Sequence, residues 1–299
     1  MTRALVLGRH RPGRRIDQAV RETERRLEAA GWTVESAVVR RKRDLRQHAA
    51  RGVEAGVDVV VAVGGDGAVL QVVNALADTT VALGIIPMGT GNLLAGNLRI
   101  PRRLDRAVSV IIGGRHRRID LGRVTVGGKD HDFAVACGVG FDARVMQATG
   151  AAEKRRLGKL AYVVRAIGQA RHVRDVKHEI TLDGARSTTE ATQVFIANFG
   201  QMGSLIKPRR EIQPDDGLLD VIIVRAPGPL LGLLAGLEAL WQRDLGMSAA
   251  GHVIRAQARE VRIETSPERL VETDGTVVGT TPIIVSVRPG ALMVIERGP

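Results

Sequence analysis

Hydrophobic positions over the first 118 residues follow two periods in turn. Short unbroken apolar runs at Ala4–Leu7, Val57–Val63 and Val81–Ile86, with an alternating run at Thr33–Val39, read as strands. Between them apolar residues recur at helical spacing. Ile16, Val20 and Leu27 share one face of a helix closed by Gly31, a second helix spans Asp44 to Ala55, and Val69, Leu70, Val73 and Leu76 follow the third strand. A further helix begins near Pro101, turns Leu104, Val108 and Ile111 inward, and ends at Gly113-Gly114. β-Branched strands alternating with helices are buried on both faces of a parallel sheet, so an α/β, doubly wound parallel sheet is expected over residues 1–118.

Beyond Gly114 the period becomes two. Ile119–Val126, Asp132–Val139, Glu179–Leu182, Thr192–Ala197, Leu219–Val224, Val261–Glu264, Leu270–Glu272 and Ile283–Val287 read as short strands. Gly127-Gly128, Asp183-Gly184 and Asp274-Gly275 supply turn signals between them. Helical spacing interrupts at Gly158 to about His172 and at Leu230 to about Asp244. A second, mainly antiparallel β-sandwich domain is expected over residues 119–288, and residues 289–299 hold a last strand, Ala291–Ile295.

Two of the parallel strands end in glycine. Val57–Val63 stops at Gly64-Gly65-Asp66-Gly67 with a helix directly after it, and Val81–Ile86 passes Pro87 into Gly89-Thr90-Gly91-Asn92. Strand–glycine loop–helix turns at neighbouring strand ends offer free backbone N–H groups and helix N-termini to phosphate. The first loop fits neither the P-loop pattern, since no G-K-S/T follows, nor G-x-G-x-x-G. Each alone reads equally well as a plain tight turn. Asp66 tilts the balance, because an acid at a phosphate cradle suits an accompanying Mg²⁺ or a substrate hydroxyl.

Composition narrows the partners. The 299 residues are 44% hydrophobic with only 2% aromatics, enough chain for two cores but not for stacking on single-stranded nucleic acid, and no nucleic-acid partner is expected. A net charge of +12 points to anions, spread over most of the chain. The single cysteine, Cys137, excludes an internal disulfide and suits a cytoplasmic chain. Met1-Thr2-Arg3 leads straight into a strand, so no signal peptide is read, and no run approaches the ~20 apolar residues of a span. The segment Leu230–Trp241 is broken by glycines and Glu238, which favours a packed helix and leaves interfacial docking open.

The GGDG turn after a buried strand, followed by P-x-GTGN, resembles the diacylglycerol kinase catalytic domain family of ATP-dependent lipid kinases, and GTGNLLAGNL (Gly89–Leu98) looks most like its actinobacterial members. Ile119-Asp120-Leu121-Gly122, Gly138-Val139-Gly140-Phe141-Asp142 and Pro214-Asp215-Asp216-Gly217-Leu218-Leu219-Asp220 look like further segments of the family. The resemblance implies a phosphofructokinase- and NAD-kinase-like first domain that holds ATP through Gly64, Gly65, Asp66, Gly67, Gly89, Thr90, Gly91 and Asn92. It implies a lipid substrate on the second domain, met at a membrane surface by a peripheral protein, and a last strand that returns to the first domain. It also implies a structural Mg²⁺ on Asp216 and the carbonyls of Gln213 and Leu218, where an Asp-Gly turn entering a strand is the bland alternative. A homodimer is left open.

Four departures from the family's pattern bear on activity. Gly8-Arg9 stands where an Asn-Pro is usual, and Arg9, Arg11, Arg14 and Arg15 can meet phosphates as charges or form a solvated basic loop. Ala68 replaces the threonine of GGDGT, and Leu93 the acid of GTGND. Thr276 occupies the position of the family's base, the Glu of a D-G-E turn, and a threonine hydroxyl is no base near neutral pH. The expected chemistry is in-line transfer of the γ-phosphoryl group to a lipid hydroxyl, with Asp66 aligning Mg²⁺–ATP or acting as base and Asp274 standing in for the missing Glu. A catalytically impaired regulator that binds nucleotide or lipid, and a kinase of a soluble substrate such as NAD, are the alternatives.

Overall fold

The computed structural model describes residues 1–13, 15–141, 175–200, 212–225 and 253–298. The chain forms two compact units: residues 1–121, 213–217 and 288–299 make one, and residues 122–212 and 218–287 the other.

The first unit is built on four parallel strands, β1 (Arg3–Arg9), β2 (Thr33–Val39), β3 (Val59–Gly64) and β4 (Ala82–Pro87), in the order β2-β1-β3-β4. Every residue of β3 and β4 is buried, as continuous Val/Ile/Ala runs require when helices cover both faces of a sheet. The helices are α1 (Ile16–Ala29), α2 (Lys42–Glu54), α3 (Asp66–Leu76), α4 (Leu93–Asn97) and α5 (Leu104–Gly113). Helix α1 shows the rule: Ile16, Ala19, Val20 and Leu27 face the sheet, and buried Thr23 returns its hydroxyl to the Ala19 carbonyl at 2.8 Å.

The second unit is a β-sandwich. One sheet has six strands in the order β12-β11-β10-β7-β14-β15: β7 (Ala136–Phe141), β10 (Gln193–Ala197), β11 (Leu219–Val224), β12 (Val253–Ala258), β14 (Leu270–Thr273) and β15 (Thr276–Thr280). The opposing layer pairs β8 (Val176–Leu182), β9 (Ala185–Ala191), β13 (Glu260–Ser266) and the start of β16 (Ile283–Glu296) antiparallel. The end of β5 (Arg115–Val126) forms a hairpin with β6 (Lys129–Phe133). Val139, Val194, Ile196, Val221 and Val271 from one sheet meet Ile180, Val261, Ile263 and Val285 from the other, with Phe133 between. This is the alternation of a two-layer core. Cys137 is part of it, and burial pushes its thiol far above the ordinary range, so it is inert.

The expected turns at Gly127-Gly128, Asp183-Gly184 and Asp274-Gly275 all carry positive φ at both residues, the backbone that tight hairpins demand. Several expectations are corrected. Asp132–Val139 is not one strand: it breaks between β6 and β7 because the amides of Ala134, Val135 and Ala136 are taken by the Asp274 carboxylate. Strands β9, β12 and β15 have no counterpart in the hydrophobic pattern. All three lie at sheet edges, where little is buried and alternation fades. Ile283–Val287 and Ala291–Ile295 are one strand, β16, carried past Gly290 at φ 57°. Its Met293 and Val294 pair parallel with Ala82 and Leu83 of β4. The helices expected over 158–172 and 230–244 lie outside the described residues.

Candidate functional site

Strands β3 and β4 pair in register to their last residues, Gly64 opposite Pro87. Their exit loops are therefore neighbours. The Met88 N–H donates to the Gly64 carbonyl at 2.8 Å, and the chain then folds so closely on itself that only glycines fit. A Cβ on Gly89 would lie 2.5 Å from the Gly65 Cα, and one on Gly65 would lie 2.9 Å from the Gly89 Cα.

Side chains lock the contact. The Asp66 carboxylate accepts the N–H of Asn92 at 2.9 Å through Oδ2 and of Leu93 at 2.5 Å through Oδ1. Asn92, buried and left-handed at φ 53°, brackets Gly89: its Oδ1 accepts the Gly89 N–H at 2.8 Å and its Nδ2 donates to the Gly89 carbonyl at 2.9 Å. Thus Gly64, Gly65, Asp66, Gly67, Gly89, Thr90, Gly91 and Asn92 form one constellation. Gly91 and Thr90 face solvent, with Gly65 and Gly67 half-buried behind them. Ala68 packs so that a Cβ on Gly64 would come within 2.8 Å of its own Cβ, and it offers no hydroxyl.

A second knot lies in the same unit. Asp120 is 2% exposed in the apolar run of β5. Its carboxylate accepts the N–H of Gly217 at 2.8 Å and of Gly290 at 2.7 Å, and its own N–H donates to the Pro214 carbonyl at 2.6 Å. Asp215 is clamped two-pronged by Arg117 at 2.7 and 2.9 Å, which holds its carboxyl below the ordinary range. Asp216 stands exposed in this turn between Gln213 and Leu218. Its single exposed carboxylate is a hard-oxygen donor of the kind Mg²⁺ takes together with several waters. Among the described residues no cluster of three or more His, Cys, Asp or Glu has metal-binding geometry.

In the second unit, Asp274 occupies the first turn position between β14 and β15, at φ 45°. Its Oδ2 accepts the Ala134 N–H at 2.8 Å, and its Oδ1 accepts those of Val135 and Ala136 at 3.0 Å each. These three amides commit its carboxylate to organising the loop between β6 and β7. Thr276 is exposed at the start of β15. The residue that sequence reasoning passed over is Glu272. It is half-buried two positions before Asp274, with its acidity weakened first by burial and then by the Asp274 charge. The signal was available: an acid set between the buried Val271 and Thr273 faces away from the sandwich core.

Among the described residues no helix is long and apolar enough to cross a membrane.

The model of the diacylglycerol kinase catalytic domain matches residues 3–124. That of the YegS C-terminal NAD kinase beta sandwich-like domain matches residues 135–296. An uncharacterized protein of Synechocystis is 31% identical over 240 residues, covering 79% of this chain and 54% of the relative, so this chain spans about half of that protein's length. A probable lipid kinase YegS-like of Stenotrophomonas maltophilia is 31% identical over 255 residues, covering 76% of this chain and 82% of the relative. The crystal structure of a putative diacylglycerol kinase from Bacillus anthracis shares the fold, with a TM-score of 0.79 at 24% identity over 99% of this chain and 95% of that one.

Proposed function

The chain belongs to the diacylglycerol kinase catalytic domain family, and from that premise we propose that it is an ATP-dependent kinase of a lipid hydroxyl, diacylglycerol or a close relative. The observation that carries this is the interlock of the two glycine loops, in which Asp66 and Asn92 spend their side chains on fixing the backbone. Preorganised N–H groups at strand ends and at the start of α3 suit a polyphosphate, whose transfer needs positioning and charge stabilisation more than covalent chemistry. Asp66 is then a positioning residue, holding the second loop against the first.

The proton of the attacking hydroxyl needs an acceptor that Thr276 cannot be. Asp66 and Asp274 both spend their carboxylate oxygens on backbone amides, which commits them to holding loops together. Glu272, raised toward neutrality and on no hydrogen bond among the described residues, takes that role. The second unit as a whole serves the acceptor lipid. Bound Mg²⁺ would offset charge on the phosphates. A further, structural Mg²⁺ would be held by Asp216 with the carbonyls of Gln213 and Leu218, in a turn that Asp120 already fixes. The exposed arginines of the first unit suit a peripheral position at an anionic membrane face.

The test is transfer of labelled phosphate from ATP with Mg²⁺ to mixed micelles containing diacylglycerol or a sphingoid base. Labelled lipid supports the proposal. Label in NAD or another water-soluble acceptor without micelles would move the substrate class, and tight ATP binding with no transfer to any acceptor would point to a nucleotide-binding regulator.

A further inference from the structure

Strands β1 and β2 pair parallel through Arg9 and Val39, and the His10 N–H still donates to the Val39 carbonyl at 2.9 Å. The segments that leave these strands therefore run side by side at the strand end where β3 delivers the Gly64–Gly67 loop. Between them they carry Arg9, Arg11, Arg15, Arg40, Arg41, Lys42 and Arg43. Most of these cations are exposed. Arg9 and Lys42 are half-buried.

Lys42 opens helix α2, and its side chain runs back to the glycine loop: a Cβ built on Gly67 would lie 3.2 Å from both its Cε and its Nζ. Neither Lys42 nor Arg9 has an ion-pair or hydrogen-bond partner among the described residues. The nearby acids are engaged elsewhere: Asp17 with His10 at 3.0 Å, Asp44 with Arg43 at 3.8 Å, and Asp66 with the amides of Asn92 and Leu93. Burial lowers the pKa of Lys42, and the Arg9 charge lowers it further. Burial and then Arg11 act on Arg9 in the same direction. Two half-buried like charges, one lowering the pKa of the other and neither with a counter-ion among the described residues, are unfavourable, and an anion bound by both removes the penalty.

We propose that Arg9 and Lys42 form the clamp for the polyphosphate of the nucleotide, set across the Gly64–Gly67 loop. This rests on the reading of that loop as the phosphate cradle, and it adds the charges that the cradle lacks. It also gives a physical sense to two departures of this chain, since cations at Arg9 and Lys42 replace donors lost where Gly8-Arg9 stands for Asn-Pro and Ala68 for threonine. A membrane headgroup would meet the exposed arginines first. Half-buried Lys42 beside Gly67, with half-buried Arg9 at the same strand end, fits a small polyanion instead.

The experiment is calorimetric titration of the full chain with AMP, ADP, ATP and inorganic tripolyphosphate, for the natural protein, Lys42→Gln, Arg9→Gln and Lys42→Arg. The natural protein should bind more tightly from AMP to ATP and should bind tripolyphosphate alone. Lys42→Gln and Arg9→Gln should each weaken ATP and tripolyphosphate about 10-fold or more, as loss of a charge-assisted contact to phosphate does, while AMP changes less than about twofold. Lys42→Arg should keep most of the affinity. Without ligand, Lys42→Gln should melt no lower than the natural protein, because it removes an uncompensated charge. Unchanged ATP affinity in both Gln variants, or a ligand-free Lys42→Gln that melts well below the natural protein, overturns the clamp and leaves the nucleotide reading standing. A natural protein that binds no nucleotide overturns both.

Discussion

The Asp66 carboxylate and the Leu93 amide stand 2.5 Å apart, 27 positions apart in the chain, and this bond sews the end of β3 to the end of β4. Its companion to the Asn92 amide makes the carboxylate a two-sided acceptor. Asp66→Asn turns one acceptor into a donor that faces an N–H. The substitution should cost ~1–3 kcal/mol, the penalty for leaving a buried amide unsatisfied, and should lower ATP affinity about tenfold. Urea denaturation and ATP titration check both halves. A variant with natural stability and natural affinity would remove Asp66 from the positioning role.

Glycine matters at this junction for space rather than for φ. Gly89→Ala brings a methyl within 2.5 Å of the Gly65 Cα and 2.7 Å of the Asn92 Oδ1. The loops must separate, at ~1–3 kcal/mol, as for overpacking elsewhere. Gly113, at the end of α5, has nothing within 4 Å of a built Cβ, so Gly113→Ala should be neutral or stabilising by a few tenths of a kcal/mol. Paired thermal melts and ATP titrations should show loss of binding in the first variant alone.

Much of the architecture was legible because buried strands leave a strong trace. Val59–Gly64 and Ala82–Pro87 are apolar at almost every position, and the glycine loops that end them gave the candidate site. Edge strands left little: Ala185–Ala191 buries only its last residue. The roles of the acids were less legible still, because they depend on contacts far apart in the chain. Asp120 gathers amides 97 and 170 positions away, and Asp274 gathers amides about 140 positions away. Both were legible as acids in a motif, but not as acceptors that hold loops together. The D-G-E comparison drew attention to Thr276 and away from Glu272, two residues before the turn.

Glu272 carries a prediction whose sign separates chemistry from structure. Its folded-state pKa is raised by burial and by Asp274, so the ionised form is penalised in the folded chain and stability falls as pH rises past the ordinary glutamate value of ~4.3. Glu272→Gln should therefore be as stable as the natural protein or more stable at pH 7. As the loss of a base, it should lower kcat by ~10²–10⁴ and flatten the acid limb of the pH–rate profile. Unchanged kcat would exclude Glu272 from proton transfer.

His178 sets a second pH dependence. It is fully buried in β8, its Nδ1 lies 2.8 Å from the Val176 carbonyl, and its Nε2 has no partner among the described residues. Burial lowers its pKa. The unfolded chain then takes up a proton at a pH where the folded chain does not, so stability is lost as pH falls below ~6.5. Urea midpoints between pH 7.5 and 5.5 should decline in the natural protein and decline less in His178→Gln. Equal slopes would show that other groups govern the acid side.

The central claim is that the two interlocked loops hold the polyphosphate, and the most direct measurement is the amide NMR spectrum of the protein titrated with a non-hydrolysable ATP analogue and Mg²⁺. Gly65, Gly67, Gly89 and Gly91 should shift or broaden with saturating behaviour, while Gly127 and Gly128 of the β5–β6 turn stay in place. Saturable nucleotide binding that leaves all four loop glycines unmoved would contradict the assignment of the phosphate site.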